Sequence, residues 1–470
     1  MAHVPNSAEQ YEKMIGTPIP QLVSSLAIPT TISMLVTVIY NTADTYFVSQ
    51  INKSASAAVG MVYTLMAILQ AVGYGLGMGA GSLISRKLGE KDDDAAERYA
   101  VSAFVAAILA GAVVGWGCLA GLKPILRALK CTDTMLPYAV PYARWILLAA
   151  PVSCASFVLN NTLRAEGEST LAMWGLGLGG VLNIVLDPLF IFTLRMGVAG
   201  AALATVLSNL LSVAYYVRYF LRKSACLSVS PRLLSPDGYI CKSILLIGVP
   251  AFINNILITV AQILLNNHAA AYGDDVVAAL GIVSRTTSLP VLLLIGLAQG
   301  VQPLIAYNYA AGNRKRLTGT MKLTALSGTA LALLLAVLLY ALAGPVVSAF
   351  LDKAEVVRLG VRFLRVNVCS VPFLASLFLL MNVFQGMGKA LPSLILSICR
   401  QGVIFLPLLL LGDIYYGLNG IVWAQPAADI LSTFIAALMF LLLYWLVAIF
   451  LPMGMFEKGI CFVGLAVFLG

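Results

Sequence analysis

Residues 151–167 read PVSCASFVLNNTLRAEG, and residues 372–388 read PFLASLFLLMNVFQGMG. Pro151 recurs as Pro372 and Gly167 as Gly388, each 221 residues further on. The same offset pairs Pro29 with Pro250, Gly60 with Gly281, Gly79 with Gly300 and Arg144 with Arg365. One unchanged offset through most of both halves marks a duplication. The copies differ in one chemical respect. Asp44 falls opposite Leu265, and Asp187 falls opposite the apolar run from Leu406 to Leu411.

What is duplicated is membrane protein. The chain is 60% hydrophobic and 10% charged, with a mean hydropathy of +0.93. Apolar runs of about 20 residues recur along it, the length a helix needs to cross a bilayer. Continuous runs of that length exclude a β-barrel, whose strands are short and alternating. The predicted helices span 22–47, 58–84, 99–122, 137–163, 171–194, 200–222, 244–272, 278–307, 323–350, 361–385, 391–411 and 420–450. The fold class expected is all-α and polytopic, with twelve transmembrane helices in two six-helix lobes. Six helices per half is an even number, so both halves enter the membrane in the same direction. The repeats are then parallel, with a cavity between them.

The formal charge of +9 reads as orientation rather than as affinity for nucleic acid. With the N-terminus inside, 17 of the 29 Lys and Arg fall on cytoplasmic segments and helix ends, and seven on outer ones. That bias places both termini in the cytoplasm. The N-lobe is expected over 1–222 and a polar cytoplasmic linker over 223–243. The C-lobe follows over 244–451 and an apolar tail over 452–470. No cleaved leader is read at the start. The eight cysteines are scattered singly and only two histidines occur, so neither a zinc centre nor a disulfide framework is expected. The Asp run at 92–94 reads as a solvated loop. The glycines at 73, 75, 77, 79 and 81 lack the context of a phosphate loop and read as close helix packing.

A charge near the bilayer centre costs about 2.5–3.5 kcal/mol on insertion scales, so each one needs a reason. Asp44 shares a face of helix 1 with Tyr40 and Asn41, and Asp187 shares a face of helix 5 with Asn183. Both helices run outward, and both acids lie past the midpoint. Helix 6 runs inward and brings Thr205 to the same depth. Carboxylate, amide and hydroxyl oxygens at one level suit a small hard cation such as Na⁺. Buried carboxyls crowded together also suit a proton carrier. Pro188 permits a bend beside the acid. In the second half, Arg400 and Asp429 lie near mid-membrane on opposed helices, where an ion pair would neutralise both. A second proton or substrate site there, with Gln401 and Gln425, is the other reading. His268 ends helix 7 near Asp274 as an interfacial residue.

These motifs resemble the multidrug and toxic compound extrusion (MATE) family, in its MepA- and DinF-like prokaryotic branch. The resemblance rests on Tyr40-Asn41-Thr42-Ala43-Asp44-Thr45, Gly79-Ala80-Gly81-Ser82 and Leu163-Arg164-Ala165-Glu166-Gly167. It rests also on Leu182 through Pro188, Gln302 through Tyr309 and Gln425-Pro426-Ala427-Ala428-Asp429. It covers about residues 15–450. It implies a V-shaped pair of lobes that exports amphipathic, cationic compounds against inward Na⁺ or H⁺. It also implies that Asp44, Asn183, Asp187 and Thr205 form the cation or proton site. Tyr40, Tyr142 and Asn160 would line the adjoining pocket, beside Asn41.

No cofactor is expected beyond the coupling ion, Na⁺ or H⁺. The expected partners are small organic cations and the bilayer, for a monomer in the inner (cell) membrane. A lipid-linked saccharide flippase is the nearest rival, but it would line its cavity with several Arg and Lys. A membrane-embedded aspartyl protease would need a Gly-x-Gly-Asp motif, which is absent.

Overall fold

Pro151 and Pro372 each sit just after a sharp break in a helix, and the duplication is seen most directly there. In this computed structural model, which describes residues 7–221, 227, 238–351 and 353–450, no strand occurs among the described residues. Helix 4 is a pair, Leu136–Leu148 and Ala150–Glu166, bent by 52°. Helix 10 is the equivalent pair, Ala354–Val368 and Val371–Gly386, bent by 45°. A proline ring excludes the preceding turn from regular helical bonding, so both breaks fall directly before it.

The other ten spans are continuous. In the first half they are helix 1 (Ile19–Ser49), helix 2 (Lys53–Gly89), helix 3 (Asp93–Ala120), helix 5 (Ser169–Thr193) and helix 6 (Val198–Phe220). In the second half they are helix 7 (Gly238–Ala270), helix 8 (Asp274–Ala310), helix 9 (Arg314–Ala341), helix 11 (Ala390–Tyr416) and helix 12 (Leu418–Phe450). Twelve spans were expected, and among the described residues twelve helices are long and apolar enough to cross a membrane, counting each bent pair as one. Short helices at Leu122–Ala128 and Ala343–Ser348 again start 221 residues apart.

Helices 2 and 8 run past their predicted apolar limits and take their charged ends with them. Helical bonding is satisfied within the segment and does not stop where the lipid does. The Asp run at 92–94 serves as a helix start: Asp92 Oδ1 accepts from the Ala95 amide at 3.2 Å. Asn313, its partner in the repeat, accepts from the Arg316 amide at 3.2 Å. Lys87 closes the first loop with contacts of 2.7 Å to Glu90 and 3.5 Å to Asp92.

By its contacts the chain falls into two compact units. The first closes at Phe252 and the second opens at Ile253, with Ile19–Val23 from the start of helix 1 also in the second. The boundary lies within helix 7, later than the 223–243 linker suggested by polarity. The reason is the glycine run. A Cβ on Gly75 would stand 3.1 Å from Phe252 Cβ, and one on Gly79 would strike the Ile244 carbonyl. Gly73 and Gly77 lie against Phe157 and Asn161 of helix 4 in the same way. Bare backbone on two faces lets helix 2 touch helices 4 and 7 together.

The expected linker lies outside the described residues, apart from Leu227 and the start of helix 7 at Gly238. The tail at 452–470 lies wholly outside them. Elsewhere, exposed Leu109, Val113 and Trp116 on helix 3, and Leu334 and Val337 on helix 9, give each unit an apolar outer face. Such faces are stable only against lipid.

Candidate functional site

Tyr40 of helix 1 crosses helix 5 at Gly180, where an added Cβ would stand 3.1 Å from the ring. Both helices run in the same direction. Asp44 is one turn beyond that crossing on helix 1, and Asn183 lies about one turn beyond it on helix 5, with Asp187 following. Helix 6 is brought alongside by a second small-residue seam. Ser212 Oγ donates to the Gly175 carbonyl at 2.9 Å, and a Cβ on Gly179 would strike Ser212. That seam sets Thr205 opposite Asn183.

Asn183 Nδ2 lies 3.5 Å from Asp187 Oδ1 and 3.3 Å from Thr205 Oγ1, which in turn donates to the Ala201 carbonyl at 3.2 Å. Asp187 and Asn183 are buried, and Asp44 and Thr205 are half-buried. The Tyr142 hydroxyl, fully buried at the start of helix 4, donates to Asp44 Oδ2 at 3.5 Å. Directly after Asp187-Pro188 the helix widens into a π-turn, Leu189–Thr193. Such turns are rare and occur often at functional sites.

Three oxygens here are buried with no donor: Asp44 Oδ1, Asn183 Oδ1 and Asp187 Oδ2. Leaving a buried acceptor unsatisfied costs about 1–3 kcal/mol, and more for a charged one. An acceptor-rich, donor-poor cluster is complementary to a cation or to a proton. It contains no thiolate or imidazole, so its chemistry is that of hard oxygen ligands.

Around it lies a cavity of about 70 Å³, lined in part by Tyr40, Asn41, Asp44, Asn183 and Thr205. That is room for a few waters or a small ion, and too little for a drug-sized compound. Asp187, Tyr142 and Asn160 do not line this cavity. Asn160 is occupied elsewhere, donating to the Ala172 carbonyl at 3.0 Å and to the Tyr216 hydroxyl at 2.9 Å. Here it ties helix 4 to helices 5 and 6.

Gln70, Ser153 and Asn209 also line the cavity, and the sequence reading did not single them out. Asn209 donates to Ser153 Oγ at 3.3 Å. It sits one turn after Thr205, a spacing that would have flagged it. Nothing around Gln70 distinguishes it from an ordinary helical glutamine.

In the second unit, Arg400 Nε donates to Asp429 Oδ1 at 2.8 Å, with both side chains under 10% exposed. Gln425 donates to the same oxygen at 2.9 Å. His268, at the end of helix 7, has a partner that the sequence analysis did not name: its Nδ1 lies 2.7 Å from Asp413 Oδ2 on helix 11. Tyr272 donates to the other oxygen of Asp413 at 2.5 Å. The fold brings the ends of helices 7 and 11 together, a proximity that spacing along the chain does not reveal.

The family model MatE matches residues 29–189 and 250–411, one copy in each half. The multidrug export protein MepA of Staphylococcus aureus (strain MRSA252) is 31% identical over 93% of this chain and 96% of its own length. MepA of Staphylococcus haemolyticus (strain JCSC1435) is 30% identical over 87% of this chain and 90% of its own. Among solved structures, an outward-facing multidrug resistance MATE family transporter of the MOP superfamily superposes with a TM-score of 0.86 at 27% identity. That likeness covers 91% of this chain and 96% of the other.

Proposed function

Because the chain belongs to the MatE family of multidrug and toxic compound extrusion transporters, we propose that it is a secondary antiporter exporting amphipathic organic cations in exchange for Na⁺ or H⁺. It is a multi-pass membrane exporter of small organic compounds, and not an enzyme.

The observation that carries the proposal is the trio of donorless oxygens on Asp44, Asn183 and Asp187, with Thr205 alongside. Two carboxylates and an amide oxygen match the ligand preference of Na⁺, and the carboxylates alone suffice for a proton. With the site open to the outside, the inward gradient loads it and neutralises the acids. Helix 1 then rebends, and the hold on the organic cation weakens. Once the site faces inward the ion leaves, and the bared carboxylates again attract a cationic substrate. Coupling requires only that ion and drug favour different states or compete for the same acids.

In this reading the protein works as a monomer in the cell's inner membrane, with both termini cytoplasmic. The Lys and Arg bias of the sequence supports that orientation. The test is efflux of a fluorescent organic cation from proteoliposomes under separate Na⁺ and H⁺ gradients. Asp44→Asn and Asp187→Asn should each reduce driven transport at least tenfold. Variants that transport like wild type would remove these acids from the coupling site. Failure of both gradients to drive transport would overturn the antiporter reading.

A further inference from the structure

The buried carboxylates of the two halves are satisfied in opposite ways. In the first unit, oxygens of Asp44 and Asp187 have no donor. In the second, Asp429 receives Arg400 and Gln425 on a single oxygen. Arg400 is also held from a third side, with its guanidinium carbon 5.0 Å from the Phe378 ring centre on helix 10.

The backbone is shaped for this. Cys399–Val403 is a π-turn inside helix 11, and it carries Arg400 and Gln401, both buried although adjacent in sequence. A regular turn would spread consecutive side chains by about 100°, and the widened one narrows that angle.

Among the described residues, neither charge has a second ion-pair partner. Helix 10 carries no charged residue in Val371–Gly386, and Asp429 is the single charged residue of helix 12. Asp413, the other charged residue of helix 11, is held by His268 and Tyr272 near the end of its helix. The guanidinium therefore has Asp429 as its counter-ion. A buried pair with good geometry tolerates desolvation, whereas removal of one partner leaves an uncompensated charge.

We propose that the polar centre of the second unit is a cation site kept filled by the protein's own Arg400. That side chain would then be what confines ion coupling to Asp44 and Asp187. The inference deepens the antiporter reading and rests on it. The second unit takes up and releases no ion because its cation is tethered. Removing the tether leaves Asp429 and Gln425 to receive Na⁺ or a proton from solution.

The test uses full-length purified protein in the Asp44→Asn/Asp187→Asn background, where the first centre is disabled. Radioactive Na⁺ binding and proton uptake on acidification are measured with and without Arg400→Gln. The expected result is one additional Na⁺ or proton bound per chain with Arg400→Gln, and none with Arg400→Lys. Adding Asp429→Asn to Arg400→Gln should abolish the gain. No gain with Arg400→Gln, or an equal gain with Arg400→Lys, overturns the proposal.

Should Arg400→Gln fail to fold in ordinary buffer, it is expressed and extracted with Na⁺, with low millimolar guanidinium, or at low pH. Recovery under any of these supports the proposal; recovery under none overturns it. If the background alone still binds ions as wild type does, the first-unit site fails. The Arg400 effect is then still read as a difference within that background.

Discussion

Tyr142 donates to Asp44 Oδ2 across 3.5 Å, tying the first segment of helix 4 to helix 1, while Asp44 Oδ1 is buried without a donor. The tyrosine occupies one oxygen of the carboxylate and leaves the other free. A donor on the ionised form competes with whatever cation the group takes up. Tyr142→Phe should therefore tighten ion binding. A hydrogen bond of about 0.5–1.5 kcal/mol corresponds to roughly a two- to tenfold fall in the half-saturating ion concentration. Dependence of transport on Na⁺ or pH in proteoliposomes reads this, and a weakened ion dependence would count against it.

Asn183 connects the two other members of the cluster, through Nδ2 to Asp187 and Thr205. Asn183→Ala removes that link together with one of the donorless oxygens. Ion-driven export should drop by about tenfold, equivalent to 1.4 kcal/mol, and passive binding of the organic cation should change less. Comparing driven efflux with equilibrium drug binding separates the two. Equal losses in both would place Asn183 in the drug pocket instead.

Backbone contact between helices 2 and 7 gives a stability prediction. Gly79 lies against the Ile244 carbonyl, whereas Gly60, on the same helix, has nothing within 4 Å of an added Cβ. Gly79→Val should destabilise by about 1–3 kcal/mol through overpacking. Gly60→Ala should be neutral or stabilising by about 0.5–1 kcal/mol, since alanine is the better helix former. Thermal unfolding in one detergent compares them, and similar melting points for both would remove the seam from the account.

Orientation is open to chemical labelling. Cys241 is exposed near the start of helix 7, on the side assigned to the cytoplasm. In intact cells a membrane-impermeant maleimide should reach it only after permeabilisation. Lys353→Cys, in a chain whose native cysteines are replaced, should be labelled at once from outside. The reverse pattern would invert the topology.

Much of the architecture was legible in the sequence because bilayer helices obey one strong rule. Every backbone group must be bonded within its segment, so apolar length alone announces a span. The two bends were not read there: 137–163 and 361–385 each read as one helix, and Pro151 and Pro372 marked only the repeat. The acids were legible, since a carboxylate among apolar residues is costly and stands out. The neutral groups were harder. Gln70 and Ser153 cost little wherever they lie, and nothing in their spacing separates a cavity wall from an ordinary helix face. Asn160 was expected at the pocket and instead bonds Ala172 and Tyr216.

By itself, then, the sequence determined twelve candidate spans, a duplication at one constant offset, and charges restricted to a few membrane positions. These follow from hydropathy and from one constant offset, both local or periodic properties. Tertiary structure decided the pairings: His268 with Asp413, Arg400 with Asp429, and helix 7 divided between the two units at Phe252. Such pairings depend on how closely neighbouring helices approach and how far each is rotated. Those are set by small residues such as Gly75, Gly79 and Gly180 and by the π-turns. Only packing in three dimensions shows which face each of them opens.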